Sequence, residues 1–545
     1  MIIAAIRSDA TQADLRRSSP GCGLRAVLLA AWLMTMACQV RAAEQGVPES
    51  AISEERWAQL TQPLPPPEEV STVLDPNQPG NIARGAGERF QGRSDATDTV
   101  LDPNQAGNLQ NRLDKLEGEK LPLIRLSGFF QLDDGLYAQS AASRTYFGDI
   151  QDGVSFRRAR LQAIGKLTEF TGYTIEMDFA QAGRPSFADV WGEQSELPFL
   201  GTVRIGQFRM PGTMDSWTSV RHLNFLERSA AFQAEDPFRR VGIMAYAMSD
   251  DERTSWAYAM FGTGLTFWDG TQTVYSTFGD NRAGMQIGDN GGVSFSSRIT
   301  HLLWYDEPSE GRYLGHIGTG YLYSQLGGEG NTGAFAKTYR SVVLPEFFVG
   351  DPAGGGSTAA GTPRVLDSGR ILANDFSMYH AELAINRGAF NFQTEVLLET
   401  INQQGGPTML MPGAYMQCGY FLTGEHANYL KQAGVFDYNV VPFTPFFGTG
   451  RHGRMAGWGA WELAFRWSYV DMSLTNLNPN NDITQAPGPP PIPSRGVLNE
   501  STVGINWWWN RFTRVQFNWI RSMPDHLGSG LAPFDIYGTR FQVEF

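Results

Sequence analysis

Arginine carries almost all of the positive charge of this sequence. All but five of the 43 basic residues are arginines. A guanidinium donates in a rigid plane and can bind a carboxylate or a phosphate through two hydrogen bonds at once. The arginines are concentrated between residues 157 and 240 and recur at 466, 514 and 540. Their type and spacing predict an array that pairs with oxygen anions, either small solutes or carboxylates of this chain.

Ten arginines are the candidates for an array that attracts anions: Arg158, Arg160, Arg204, Arg209, Arg221, Arg239, Arg240, Arg466, Arg514 and Arg540. The alternative is that they neutralise carboxylates in a polar interior, with partners such as Glu176, Glu227, Glu382 or Glu462. For any single arginine this structural role is the simpler interpretation, and Glu227 with Arg228 is the clearest predicted pair. For the cluster as a whole, the attraction of anions is favoured.

The sequence has no pattern typical of catalysis or of cofactor binding. It contains no Gly-x-Ser-x-Gly nucleophile turn and no glycine loop that would cradle a phosphate. His222, His426 and His452 have no partner at the spacing of metal ligands. Cys418 is the one cysteine beyond the N-terminal region, so no disulfide framework follows. We therefore predict that the protein is not an enzyme and needs no metal and no cofactor.

The candidate arginines lie on segments in which polar and apolar side chains alternate. Successive side chains of a strand point to opposite faces, so Arg158, Arg160 and Gln162 share one face. In 461–469, every second residue is large and mostly aromatic, and Glu462 and Arg466 lie on the other face. Such a run of large apolar residues on one face is typical of a strand that faces lipid.

The last segment of the chain, 537–545, alternates in the same way and ends on Phe545. A terminal strand exposes its edge unless it closes a barrel by pairing with the first strand. We expect it to pair with residues 124–132. Tyr537, Phe541 and Val543 should then face lipid, and Arg540 should face the lumen.

Composition and turn pattern favour a membrane barrel. Charged residues make up 18% and aromatic residues 12%, the mean hydropathy is −0.27, and no run of eighteen apolar residues follows residue 43. A helical membrane protein is excluded. A membrane barrel is not, because its strands alternate and contain no long apolar run.

The predicted connections differ in length. Turns at 385–390 and 509–512 are tight, whereas the connections at 350–367 and 478–494 are long and rich in glycine and proline. We predict an all-β, transmembrane antiparallel β-barrel of about sixteen strands.

The chain divides into three predicted regions. Residues 1–42 form a signal peptide, with arginines before the apolar run 26–37 and small residues at the cleavage site. Residues 43–120 form a Pro- and Gln-rich periplasmic spacer, in which VLDPNQxGN occurs at 73–81 and again at 100–108, followed by a short coiled-coil-like helix. Residues 121–545 form the barrel. The net charge of −13 argues against nucleic acid as a partner.

Six short motifs, taken in order, resemble the phosphate-selective porin O and P family. They are FRRARL at 156–161, RIGQFRMP at 204–211, FLERS at 225–229, FLTGE at 421–425, GAWEL at 459–463 and GINWW at 504–508. The terminal Phe545 matches the family as well. The resemblance covers residues 121–545. It implies a sixteen-stranded barrel, usually a homotrimer, in the outer membrane of a Gram-negative-type bacterium, with Phe545 read by the assembly machinery.

The function that this resemblance implies is passive diffusion of small anions, phosphate among them, through a lumen lined by arginine. The sequence departs from the family in one respect. Phosphate binding there is associated with lysines as well as arginines, and the barrel region here has only Lys166, Lys337 and Lys431. A non-selective general porin therefore stays open, as does a barrel that mainly anchors the outer membrane to the periplasmic layer. The expected partners are permeant anions and outer-membrane lipid.

Overall fold

The computed structural model describes residues 121–180, 186–235, 239–262, 292–327, 337–347, 349, 362–446, 448–450, 453–455, 457–483 and 493–545. All of them belong to the second of two units, 95–545, into which the chain divides. The predicted signal peptide, spacer and coiled-coil-like helix lie outside the described residues, as do parts of the two long connections predicted at 350–367 and 478–494.

Sixteen long antiparallel strands form the framework, as the sequence predicts. They are β1 Leu123–Gln139, β2 Gly153–Lys166, β3 Thr171–Asp178, β4 Ser186–Leu197, β5 Gly201–Arg209, β6 Arg239–Met248, β7 Thr254–Gly262, β8 Val293–Tyr305, β9 Tyr313–Gln325, β10 Ile371–Arg387, β11 Phe390–Gln403, β12 Met409–Phe421, β13 Ala460–Asp471, β14 Gly496–Asn510, β15 Thr513–His526 and β16 Phe534–Glu544. Each strand pairs with its neighbours in sequence, so the order around the sheet follows the chain.

The first and last strands pair and close the sheet into a barrel. The register runs from Phe129 opposite Glu544 to Gln139 opposite Phe534. Beyond it, Gly128 and Phe545 exchange two backbone hydrogen bonds of 2.9 Å. The predicted closure is therefore confirmed, although the paired residues of β1 are 128–139, so only 128–132 of the expected segment 124–132 take part. A closed ladder leaves no strand edge unpaired, which lipid would not tolerate.

Side chains alternate between an apolar exterior and a polar interior along the strands. On β16, Tyr537 is 41% exposed and Arg540 is fully buried, as the alternation of 537–545 predicts. On β13, Leu463 and Phe465 are exposed, whereas Glu462 is buried. Outer aromatic rings also stack across strands; those of Trp461 and Trp507, for example, lie 4.8 Å apart. The exterior is thus suited to hydrocarbon, and the interior holds the polar groups.

The two ends of the barrel differ in their connections. At one end β10 turns into β11 through two residues, with Gly388 at a φ of +67°, and β14 turns into β15 just as tightly. The connections at the other end are mostly longer. This asymmetry is the predicted one and is typical of outer-membrane barrels. One connection breaks it, because the link between β12 and β13 lies at the short-turn end and spans 422–459.

Helices and minor strands occur only in the connections of the described chain. The helices are α1 Ala141–Phe147, α2 Met214–Trp217 and α3 Ala230–Glu235, with 3-10 turns at Glu307–Ser309 and Pro479–Asn481. The minor strands are Thr338–Tyr339, Val342–Val343, Leu366–Asp367, Asn428–Leu430, Val435–Asp437, Gly448–Gly450, Gly453–Met455 and Gly530–Leu531. Among these residues, no helix is both long and apolar enough to cross a membrane.

Three connections fold into the barrel and pack against its inner wall. We call them the first insert (210–235), the second insert (337–347 with 362–370) and the third insert (425–441). The first insert carries α2 and α3, and nearly all of its residues are buried. Apolar side chains from all three inserts, including Trp217, Phe347 and Phe436, join one hydrophobic cluster with inward-facing strand residues. The core of this protein therefore lies inside the barrel.

The closure seam can be tested by a disulfide across it. In a Cys418→Ser background, Leu136→Cys with Tyr537→Cys should form a disulfide, because these outward residues are directly opposed and paired antiparallel Cα atoms lie about 5.5 Å apart. The control is Leu136→Cys with Val543→Cys, whose positions are offset by roughly 20 Å along the strand. Non-reducing gels report both pairs. Equal crosslinking of both pairs, or none in the opposed pair, would contradict the register.

Candidate functional site: the charged interior

An irregularity in β2 brings two adjacent arginines to the interior. Gln131 on β1 pairs with Arg158, but the next residue, Leu132, pairs with Phe156. Arg157 is thus the extra residue of a β-bulge, which re-aims a side chain that strict alternation would place outside. Both guanidinium groups contact Glu227, with Nε of Arg157 at 2.9 Å and Nη2 of Arg158 at 2.8 Å.

Glu227 fastens the first insert to the closure seam. Besides the two arginines of the bulge, it accepts from Nη2 of Arg540 on β16 at 2.9 Å, and Arg540 also binds Asp133 on β1 at 2.6 Å. Burial alone would raise the pKa of Glu227, but the three arginines hold that pKa well below its usual range. Removing one partner of such a buried pair leaves an uncompensated charge, which costs roughly 3–5 kcal/mol.

A second group of candidate arginines pairs with carboxylates along β2 to β6. Nε of Arg160 lies 2.8 Å from Asp178, Nη2 of Arg204 lies 2.8 Å from Glu193, and Nη2 of Arg239 lies 2.6 Å from Asp189. The Arg204 guanidinium also stacks on the Trp191 ring at 3.7 Å, which adds a cation–π attraction. These contacts match the structural alternative raised for single arginines.

Other arginines hold the backbone of the first insert. Arg209 donates to the carbonyls of Ser216 at 3.1 Å and Thr218 at 2.9 Å. Arg228 donates to the carbonyl of Asp215 at 2.7 Å and to that of Thr218. The sequence predicts a pair between Glu227 and Arg228. The ion pairs of Glu227 are with Arg157, Arg158 and Arg540, whereas Arg228 donates to carbonyls and lies 5.0 Å from the centre of the Phe232 ring.

The second insert is held by Glu346, a residue that the sequence did not single out. Its carboxylate accepts from Nη2 of Arg466 on β13 at 2.5 Å, from Oγ1 of Thr502 on β14 at 2.9 Å, and from the backbone N–H of Ala230 at 3.1 Å. One buried side chain therefore joins two inserts and two strands. The sequence shows that Glu346 lies in a long connection, but it does not show where that connection runs.

The third insert is held by Arg298, which sequence reasoning also missed. Its Nη1 and Nη2 donate to the carbonyls of Ala433 and Gly434 at 2.6 and 2.7 Å, and Nη2 lies 2.7 Å from Glu382 on β10. The signal was present, because Ser294, Ser296, Arg298 and Thr300 alternate along β8 and are all buried. That alternation would have placed Arg298 in the lumen.

One pocket collects basic side chains at the short-turn end. It is lined by Arg221, His222, Arg511 and Arg514, together with Glu544 and apolar and amide side chains. Arg514 donates to the carbonyls of Leu223 and Arg221, each at 2.9 Å. We call this site the basic pocket. It lies where the first insert, the third insert and strands β15 and β16 meet.

His222 of the basic pocket, which belongs to the first insert, forms ion pairs with the third insert and with the barrel wall. Its Nδ1 lies 2.5 Å from Asp437 of the third insert, and its Nε2 lies 3.3 Å from Glu544 of β16. Burial opposes protonation, but the two carboxylates outweigh it and raise the pKa of His222 to about 10. The imidazole is therefore cationic at neutral pH and adds to the positive charge of Arg221, Arg511 and Arg514 in the pocket.

All ten arginines proposed for the array have buried side chains in the barrel interior. The structure brings Arg158 and Arg540 together at Glu227, and Arg221 and Arg514 together at the basic pocket. Their contact with permeant anions stays a prediction. Phe545 lies on the exterior and is 62% exposed, and its proposed reading by assembly machinery also stays a prediction.

A closed sixteen-strand barrel with an apolar exterior, a polar interior and connections folded into the lumen defines an outer-membrane porin. The chain belongs to the phosphate-selective porin O and P family, whose model matches residues 124–298 and 355–545. The family resemblance predicted from the six motifs is thus confirmed. A search of curated proteins found no matching sequence.

Solved porin structures are similar to this chain at low sequence identity. An anion-selective porin from Comamonas acidovorans is 12% identical, with a TM-score of 0.42 over 78% of this chain and 99% of that chain. The outer-membrane channel DcaP of Acinetobacter baumannii is 9% identical, with a TM-score of 0.40 over 77% and 97%. The trimer form of OmpT from Vibrio cholerae is 7% identical, with a TM-score of 0.41 over 78% and 100%.

The His222 ion pairs predict how stability depends on pH. The folded pKa of about 10 lies above the ordinary value near 6.5, so this stabilisation is full below about pH 6.5 and is lost as the pH rises through 10. His222→Gln should cost roughly 3–5 kcal/mol at pH 6 and flatten the loss toward pH 10.5. The measurement is the urea midpoint of the detergent-solubilised protein at pH 6, 8 and 10.5.

The matched control is His301→Gln, because His301 is exposed on β8. That variant should keep the wild-type slope of stability against pH. If His222→Gln also keeps the wild-type slope, the ion pairs of His222 do not contribute as argued.

Proposed function

We propose that this porin passes small anions by passive diffusion and prefers them over cations. The observation that carries the proposal is the basic pocket. Arg221, His222, Arg511 and Arg514 face it, and Glu544 is the one carboxylate among its lining residues. Asp437 lies behind His222 and Glu176 lies 3.6 Å from Nη2 of Arg221, so four basic groups stand against three acidic ones. In a narrow, low-dielectric passage such an excess attracts anions and repels cations.

The chemistry of arginine supports the same preference. Its planar fork binds oxyanions through two hydrogen bonds, and it keeps its charge at any physiological pH. Most of the other interior arginines are in contact with carboxylates, as Arg204 is with Glu193 and Arg239 with Asp189. Those pairs neutralise each other locally, so we assign selectivity to the basic pocket first and to the rest of the array second.

The finer parts of the proposal follow from family membership. We propose phosphate and similar oxyanions as permeants, a homotrimeric assembly in the outer membrane, and a periplasmic position for the segment before residue 121. Two other functions compete with selective passage. A general porin would conduct without preference, and a structural anchor would not conduct at all.

Planar-bilayer recording of the purified protein separates these functions. In a gradient of potassium chloride, the reversal potential should show anion preference, and a phosphate gradient should give current of the same sign. Cation preference would overturn the proposal, equal permeability would assign a general porin, and silence would favour the anchor.

The basic pocket is tested by charge removal. Arg511→Gln and the double variant Arg511→Gln/Arg514→Gln should lower the anion-to-cation permeability ratio by about twofold per charge, the factor expected for a charge ~8 Å from the ion path in a water-like dielectric at about 0.15 M salt, where screening weakens its effect on both ions. Arg521→Gln is the control, because Arg521 points outward beside Asp535. A ratio unchanged from wild type in the double variant would remove the pocket from the selectivity mechanism.

A further inference from the structure

Three buried ligand-type side chains converge on the inner wall of β10 and β11. They are His380 and Glu382, two residues apart on β10, and Glu395 on β11. One ligand atom from each lies within 4.8 Å of the others. Glu382 and Glu395 are directly opposed across the two strands. Arg298 pairs with Glu382 and balances one of the two carboxylates, and like charges in that position repel at close range, so a second cation on this wall would relieve the repulsion.

The two carboxylates are positioned by contacts that leave oxygen lone pairs available. Glu395 accepts from the N–H groups of Met214 and Asp215 at 2.6 and 2.9 Å and from the Tyr415 hydroxyl at 2.5 Å. Oε1 of Glu382 accepts from Nη2 of Arg298 at 2.7 Å and from Nε2 of His316 at 3.1 Å, and Oε2 accepts from Nε of Arg298 at 3.3 Å. A carboxylate has about four lone-pair sites, so each can still bind a metal ion while these partners orient it.

His380 is the observation that points to a ligand. It is 3% exposed, and within the part of the chain that the structure describes neither of its ring nitrogens has a hydrogen-bond partner. Its Nδ1 lies 3.8 Å from Oε2 of Glu382, beyond hydrogen-bond length but close to the separation of two ligands on one zinc ion. An imidazole buried without partners costs free energy, which a bound metal would recover.

The neighbouring strand is shaped to receive these side chains. On β9, Gly320 pairs with His380 and Gly318 pairs with Glu382. A Cβ at Gly320 would lie 2.2 Å from Nε2 of His380, and one at Gly318 would lie 2.1 Å from Oε1 of Glu382. Both side chains therefore lie flat against β9, and only glycine leaves room for them. This packing directs Nδ1 of His380 toward the carboxylates.

We propose that His380, Glu382 and Glu395 bind a divalent transition-metal ion of the zinc class. One imidazole and two carboxylates make a three-ligand set, which leaves a fourth position for water. Mg²⁺ and Ca²⁺ prefer sites made of oxygen ligands alone. His316 acts on the metal through Glu382 and is itself held by the Tyr429 hydroxyl at 2.7 Å, a common support for a metal ligand.

The ion would also act on the first insert. Glu395 holds the start of α2 through two backbone N–H groups, so a metal on Glu395 would fix the insert to the wall of β11. This inference is independent of anion preference, because none of its three ligands lines the basic pocket and it is read by metal binding alone.

The test is zinc binding by the full mature chain, purified in detergent with a tag that contains no histidine. Wild-type protein should bind one Zn²⁺ per chain in isothermal titration and retain it through gel filtration, measured by elemental analysis. His380→Gln and Glu395→Gln should each weaken binding by at least about tenfold. The control His301→Gln should bind as the wild type does, because His301 faces outward.

A second measurement guards against variants that fail to fold. Co²⁺ added to wild-type protein should give the visible absorption of a four- or five-coordinate site, and Zn²⁺ should abolish it. The heat-modifiable migration of a folded barrel on gels selects the variants to be compared. Wild-type protein that binds neither ion, or a folded His380→Gln variant that binds Zn²⁺ as tightly as wild type, would overturn the proposal.

Discussion

A peptide group in the hydrocarbon of a membrane finds no water to bond with, and the closed barrel and the two faces of its strands follow from that constraint. The ladder must close, so β1 meets β16 from Phe129 to Gln139. Alternation then puts every second side chain in lipid and the others in the lumen. Because the outward set is mostly apolar, most polar side chains of the described strands lie in the lumen.

The interior that results is a polar core, built from charge pairs as much as from apolar packing. Glu227, Glu346 and Arg298 each join an insert to two or more other elements. Buried charges of this kind contribute little net free energy compared with an apolar core, but losing one partner is severe. They act chiefly to fix where each insert lies, since a shifted insert would leave a charge or a carbonyl unpaired. The same pairs limit how many arginines act on a solute.

The framework could be predicted from the sequence because its pattern is local. Nine residues suffice to place Arg540 inside and Tyr537 outside, and two residues between β10 and β11 indicate a tight turn. The inserts could not be predicted, since their contacts join distant parts of the chain: Arg540 binds the carbonyl of Leu226, 314 residues away. The site was predictable in part. The sequence names Arg221 and Arg514 as members of the arginine array, and both are buried in the structure, whereas their meeting with His222 depends on how two inserts fold.

The bulge at Arg157 has a consequence for how such a barrel can change. In a regular strand, adding one residue exchanges the inner and outer faces along the whole remaining length. A bulge absorbs the added residue at one point, and the pairing of Gln131 with Arg158 and of Leu132 with Phe156 leaves the faces on both sides intact. Single-residue insertions at such points are therefore a route by which a lineage can add a lumen charge while strand number and membrane surface stay as they were.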